Sequence, residues 1–154
     1  MDKFSGMFRV IENWKIDRVD HYTHEVLDSE EFCNTVVNDG LERIAKLING
    51  VSSTYFRALA IGTNASGPTN SDSTLGAEVT RAVATLSYEA SYKAKFTYTF
   101  TFGSGESYSI TEAGIFDSAT VSGSTMLART VFSAKAVDAD IDLIVTTIIT
   151  VARV

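Results

Sequence analysis

The stretch ITEAGIFD (110–117) sets two carboxylates, Glu112 and Asp117, around a short apolar core in a hydroxyl-rich part of the chain. Carboxylates so placed can share general acid and base work, hold a cation, or form the polar ends of a strand. On an extended strand entering a turn, residues 112 and 117 point to opposite faces. A glycosidase-type pair would then need a partner from a distant strand, and nothing positive in the chain supplies one.

The other chemistry-bearing groups are thinly spread. His21 and His24 in DHYTHE would share one face of a helix, but their flanks read as strand or hairpin. There they diverge and cannot share one ion, so exposed polar residues near a turn are expected. Asp138, Asp140 and Asp142 alternate along one face of an extended segment. Calcium loops curl around their ion and include glycine, so an acidic strip guarding a strand edge is the expectation. GTNASGPTN (62–70) lacks the Gly-Lys-Ser/Thr of a phosphate loop, and GSGES (103–107) is not a nucleophile elbow. Cys33 is the sole cysteine, which excludes an intrachain disulfide and a thiolate metal cage. Beside Phe32 it reads as a small, half-buried hydrophobe. No catalytic, cofactor-binding or metal-ligating residue is therefore assigned, and no cofactor is implied.

Bulk composition narrows the class further. The chain has 154 residues, 45% hydrophobic and 21% charged, which fits one soluble domain with a real core. A net charge of -6, with 13 Lys and Arg scattered singly, argues against tracking nucleic-acid phosphates. The longest apolar run, LIVTTIITV (143–151), is too short and threonine-rich for a membrane helix. Charges interrupt every apolar run of MDKFSGMFRVIENW, so the expectation is synthesis in a cytoplasm without a signal peptide.

The elements that must position these groups are mostly strands. In AKFTYTFTF (94–102), Phe96, Tyr98, Phe100 and Phe102 alternate with Lys95, Thr97, Thr99 and Thr101, a half-buried antiparallel strand. In the C-terminal run, Ile141, Leu143, Val145, Thr147, Ile149 and Val151 share one face. Ile144, Thr146, Ile148 and Thr150 form a mixed opposite face able to meet a neighbour. Further strands are predicted over 8–16, 55–62, 83–90, 107–116 and 126–134. One helix is predicted over 34–49, with Val37, Leu41, Ile44, Ala45 and Ile48 at helical spacing and Gly50 as its stop; Gly40 moves its start toward Asp39. A short helix or turn is expected over 71–81. About seven strands and one helix make a single domain (1–154): a mainly β, antiparallel, jelly-roll-like β-sandwich with one short α-helix. Its core is expected in 51–154, with 1–30 as an added strand or an arm toward another chain.

From residue 58 on, LAIGTN (59–64), TLGAEVTR (74–81), the aromatic strand, SITEAGIFDSA (109–119), GSTMLARTVFS (123–133) and a Thr/Ile terminal strand follow in order. With the preface LDSEEFCNTVVNDGLERIAKLING (27–50), this order resembles a family of short tailed-bacteriophage virion proteins, described as tail-fibre-like or structural. The resemblance implies a non-enzymatic β-module on the virion surface, as capsid decoration or neck or tail-fibre attachment. It further implies a homo-oligomer, with a trimer expected from the two-faced terminal strand, alongside other virion proteins. The alternative is a host-surface glycan-binding module using aromatics such as Trp14, Tyr88, Tyr92 or Tyr98. A small hydrolase would need His21 or His24 in a cleft beside a serine or carboxylate.

Overall fold

The computed structural model of the chain describes residues 6–34 and 36–154. The opening MDKFS and Thr35, near the front of the expected helix, lie outside the described residues. The order of elements is β1 (Phe8–Asp20), β2 (Val26–Asn34), α1 (Asn38–Ile48), β3 (Ala58–Gly62), β4 (Glu78–Val83), β5 (Thr85–Glu89), β6 (Lys93–Phe100), β7 (Ser107–Phe116), β8 (Met126–Asp138) and β9 (Ile141–Arg153). The mainly β, antiparallel architecture with one helix is as the residue pattern predicts.

All strand pairs are antiparallel and fall into two halves. One runs β2-β1-β9-β6-β5 and the other β8-β7-β3-β4; Asp138 and Ile141, at the base of the β8–β9 hairpin, are the one pair joining them. The halves fold face to face as a β-sandwich. Trp14, Ile16, Phe96, Phe100, Leu143, Val145 and Ile149 from the first half pack in one buried cluster with Leu59, Ile61, Ile110, Ala113, Ile115, Leu127 and Val137 from the second. At one side the chain passes between halves by bending at buried Ala84, whose N–H donates to Arg57 O at 2.8 Å.

β6 and β9 carry the predicted faces. Phe96, Phe100 and Phe102 are buried and Tyr98 is half-buried, while Leu143, Val145 and Ile149 enter the core with buried Thr147 among them. The core does not begin at residue 51, because β1 lies inside its own sheet between β2 and β9, and Trp14 and Ile16 are among the most buried side chains. Two strands beyond the expected seven are β2 and β4. β2 is a polar edge strand in which no apolar alternation announces itself. Of the short helix or turn expected over 71–81, the first part is turn and bend, and from Glu78 the chain runs as β4, which pairs with β3 and whose approach is tied down by a buried carboxylate described below.

The helix starts at Asn38, close to the Asp39 estimate. Asn34 is held in β2, opposite Glu12, and its side-chain amide donates to Arg129 O at 2.5 Å. Gly40 is the buried residue of α1 for a steric reason: a Cβ there would lie 2.4 Å from Leu127 O of β8. The helix therefore sits on β8 backbone to backbone over its first turn.

β7 departs from simple alternation. Its register against β8 shifts between Ile110 and Glu112, where Phe132, Ser133 and Ala134 add length to β8. Ile110 consequently joins Ala113 and Ile115 in the main core rather than sharing the Glu112 face as strict period two requires. Gly114 and Phe116 stay with Glu112 on the far face, where Phe116 meets Val37, Ala58, Ala60, Leu75 and Met126 in a second buried cluster.

If this register is right, Phe100→Ala removes a fully packed ring and costs about 3–5 kcal/mol in denaturant unfolding. A cost below about 1 kcal/mol would contradict it.

Candidate functional site

Glu112 is fully buried on the far face of β7 and its four acceptor positions are filled. Oε1 accepts the N–H groups of Asn64 at 3.2 Å and Ala77 at 2.8 Å. Oε2 accepts the N–H of Gly76 at 3.0 Å and Arg129 Nε at 2.8 Å. Arg129, nearly buried on β8, spends its remaining nitrogens on Asp72 Oδ2 and Ser66 O, both at 3.0 Å. Asp72 in turn accepts from Thr69 N and Thr69 Oγ1 at 2.9 and 2.8 Å. Its burial works to raise its carboxyl, but the Thr69 and Arg129 bonds outweigh that and hold it below the usual range. Glycines make room: a Cβ on Gly62 would meet Glu112 Oε1, and one on Gly76 would meet the Asn64 side chain, each at 2.4 Å.

Asp117 forms a second closed knot. Oδ2 accepts Arg43 Nη1 from α1 at 2.5 Å, and Oδ1 accepts Thr125 N at 2.8 Å, spanning the β7–β8 loop as a turn-binding aspartate should. Arg43 also reaches Thr54 O and Thr125 Oγ1 at 3.1 and 2.8 Å. Between the two knots, Arg81 of β4 makes a two-pronged contact with Glu78 at 2.6 and 2.7 Å and lies 3.9 Å above the Phe116 ring. Glu112 has no lone pair left for a substrate or a cation, and both oxygens of buried Asp117 are engaged by Arg43 and Thr125. Both are structural, and Glu112 faces its own chain through Arg129, the partner anticipated from the hairpin.

The remaining candidates do not converge. His21 Nδ1 lies 3.0 Å from both oxygens of buried Asp142, whereas His24 is exposed in the β1–β2 turn with φ of 61°. The aspartates do not form a strip along a strand, because a tight hairpin turn falls among them. Asp138 ends β8 and accepts the N–H of Asp140 at 2.9 Å, while Asp142 points back toward His21. Among the described residues no group of three His, Cys, Asp or Glu is placed to hold a metal ion. Cys33 is exposed rather than half-buried; its thiol donates to Asn13 Oδ1 at 2.9 Å beside a shallow depression of about 450 Å³ on the outer sheet face. Of the named aromatics, Trp14 is 1% exposed and Tyr98 half-buried, while Tyr88 and Tyr92 stand 74% and 70% exposed on the β5–β6 hairpin.

One ionisable group escapes the sequence reading. Glu12 sits on the core face of β1 in phase with Val10, Trp14 and Ile16, fully shielded from solvent. Its Oε1 accepts the Trp14 indole N–H, its Oε2 has no hydrogen-bond partner among the described residues, and burial pushes its carboxyl up to about 8. A polar residue at an apolar phase of a strand is the signal that could have found it.

No protein-family model, curated protein or solved structure matches this chain. No helix among the described residues is long and apolar enough to cross a membrane.

Two outcomes follow from these carboxylates. Glu112→Ala strands the Arg129 charge and costs about 3–5 kcal/mol, measured by denaturant unfolding against Thr99→Ala as a surface control. The Glu12 contribution is complete when the carboxyl is protonated in both folded and unfolded chains, below about pH 4.5. It is lost as pH rises toward about 8, because the unfolded chain ionises first. Glu12→Gln should match wild type near pH 4.5 and exceed it by a few kcal/mol at pH 8. Parallel stability curves for the two proteins would overturn the assignment.

Proposed function

We propose that the chain is a non-enzymatic structural protein of a tailed-phage virion. It is an oligomeric β-module attached to the particle surface, as capsid decoration or in neck or tail-fibre attachment. It is made in the host cytoplasm and works as a homo-oligomer, with a trimer as the expected state. Support for the class comes from the ordered resemblance across LAIGTN, TLGAEVTR, SITEAGIFDSA and GSTMLARTVFS.

The observation that carries the assembly part is an apolar surface that the described residues leave uncovered. On α1, Leu41 and Ile48 are 51% and 70% exposed, with Ala45 exposed between them. This stripe continues into a groove of about 320 Å³ at the open end of the sandwich, lined only by apolar side chains including Phe8, Val10, Ile44, Phe56 and Val151. Contiguous apolar surface of this kind marks an interaction site on a soluble protein. The reading commits the surface to other copies of the same chain, the occupant that the resemblance implies. Glu112 and Asp117, meanwhile, are spent on holding the chain's own loops.

A specific observation favours the alternative, a host-surface glycan-binding module. Tyr88 and Tyr92 are exposed together, and the turn that presents them holds Ser91 and Tyr92 at φ of 69° and 70°, strained for side chains of this size. Exposed tyrosines can stack on sugar rings.

Electron cryomicroscopy of purified particles should place the chain in the virion, and light scattering should give a mass above the monomer that Ile48→Asp lowers. A persistent monomer at high concentration, with no virion density, would overturn the structural reading. Glycan binding abolished by Tyr92→Ala would instead favour the alternative.

A further inference from the structure

We propose that β5 is a docking edge for β5 of a second copy, paired antiparallel about a two-fold axis through Ser87, so that β2-β1-β9-β6-β5 continues into the partner as one sheet. The inference rests on the homo-oligomeric part of the reading above and does not depend on where on a particle the chain sits.

Sheet edges are normally defended by charge, proline, bulges or covering side chains. The β2 edge is defended: Asp28 pairs with Arg18 at 3.0 Å, and Glu30 meets Lys135 at 3.0 Å and Ser133 Oγ at 2.5 Å, closing that side onto β8. The β4 edge carries the Glu78–Arg81 pair. β5, with sequence TLSYE, has no proline, glycine or basic residue, and it pairs with β6 over Thr85–Glu89 without a register shift. Among the described residues its other edge has no partner strand, and Thr85, Leu86, Ser87 and Tyr88 are all exposed.

The edge is also self-complementary. Antiparallel pairing centred on Ser87 sets Leu86 of each copy opposite Tyr88 of the other, and Thr85 opposite Glu89. An aliphatic side chain facing an aromatic one stabilises a strand pair, and no like charges face each other in this register. Within one chain Leu86 lies opposite Phe96, and Tyr88 opposite Ala94. Leu86 and Tyr88 therefore occupy the core-side face, above a hollow of about 410 Å³ that they line with Leu47, Tyr55 and Phe56. A strand added here closes its backbone hydrogen bonds and lays its own Tyr88 over that apolar hollow. The match of a surface with itself is what a two-fold contact requires.

Two variants at an exposed position test this. Ser87→Lys puts like charges across the axis and should halve the sedimentation mass, whether the wild type is a dimer or two trimers joined back to back, with circular dichroism unchanged. Ser87→Cys in a Cys33→Ser background should cross-link to a covalent dimer under mild oxidation. An unchanged mass with no cross-link overturns the β5 contact while leaving the homo-oligomer reading standing. A wild-type monomer overturns both.

Discussion

The rest of the structure depends on one desolvated ion pair, Glu112 with Arg129. Moving two charges out of water costs several kcal/mol per ion, and their attraction repays this only when every remaining lone pair and proton is satisfied. Here the satisfaction comes from the backbone of Asn64, Gly76 and Ala77 and from Ser66 and Asp72, all in the long connection between β3 and β4. The pair thus acts less as a source of stability than as a template that admits one path for that loop. With the loop in place, Leu75 covers Gly114 and Phe116, and β3 becomes buried on both faces. The outer face of the β8-β7-β3-β4 half is covered by the chain itself.

The same network fixes which face of α1 is left in solvent. Gly40 lets the first turn rest on Leu127, and Arg43 anchors it to Asp117 beyond the end of β7. Both attachments act on the N-terminal half of the helix. Past Arg43 the helix is held by half-buried Ile44 and Leu47, which pack on the main core, while Ile48 stays in solvent. Exposure of the stripe is a consequence of the face by which the helix is pinned: Gly40, Ile44 and Leu47 turn to the sandwich, so Leu41, Ala45 and Ile48 turn away.

What could be read from the residues and what could not divides along a physical line. Phe96, Phe100, Leu143 and Val145 announce their faces because period-two alternation of large apolar groups has one interpretation. Glu112 with Arg129 was within reach, because a hairpin brings neighbouring strands' same-face residues together. The loop donors were not, since backbone N–H groups carry no side-chain identity in sequence. β2 was missed because an edge strand defended by Asp28, Glu30 and Glu31 looks like a helix preface. The Asp138–Asp142 segment was misread because alternation continues unbroken across a tight turn, which Asp138 holds by accepting the N–H of Asp140. Glu12 was readable in principle, as a carboxylate in the phase of Trp14 and Ile16, but charge on a core face is discounted by habit.

Two of the exposed apolar surfaces share residues. The hollow beneath β5 and the groove beneath α1 are both lined by Phe56, Ala94 and Phe96, so they form one apolar belt around the open end of the sandwich. A strand docking on β5 brings a second Tyr88 to the rim of this belt and desolvates the floor that α1 and Phe8 extend. The shared rings lose their remaining water only once, so the two contacts draw on one apolar area. In the proposed assembly, edge pairing and helix-stripe packing meet on this one belt, with the hydrogen bonds of β5 setting the direction of the contact.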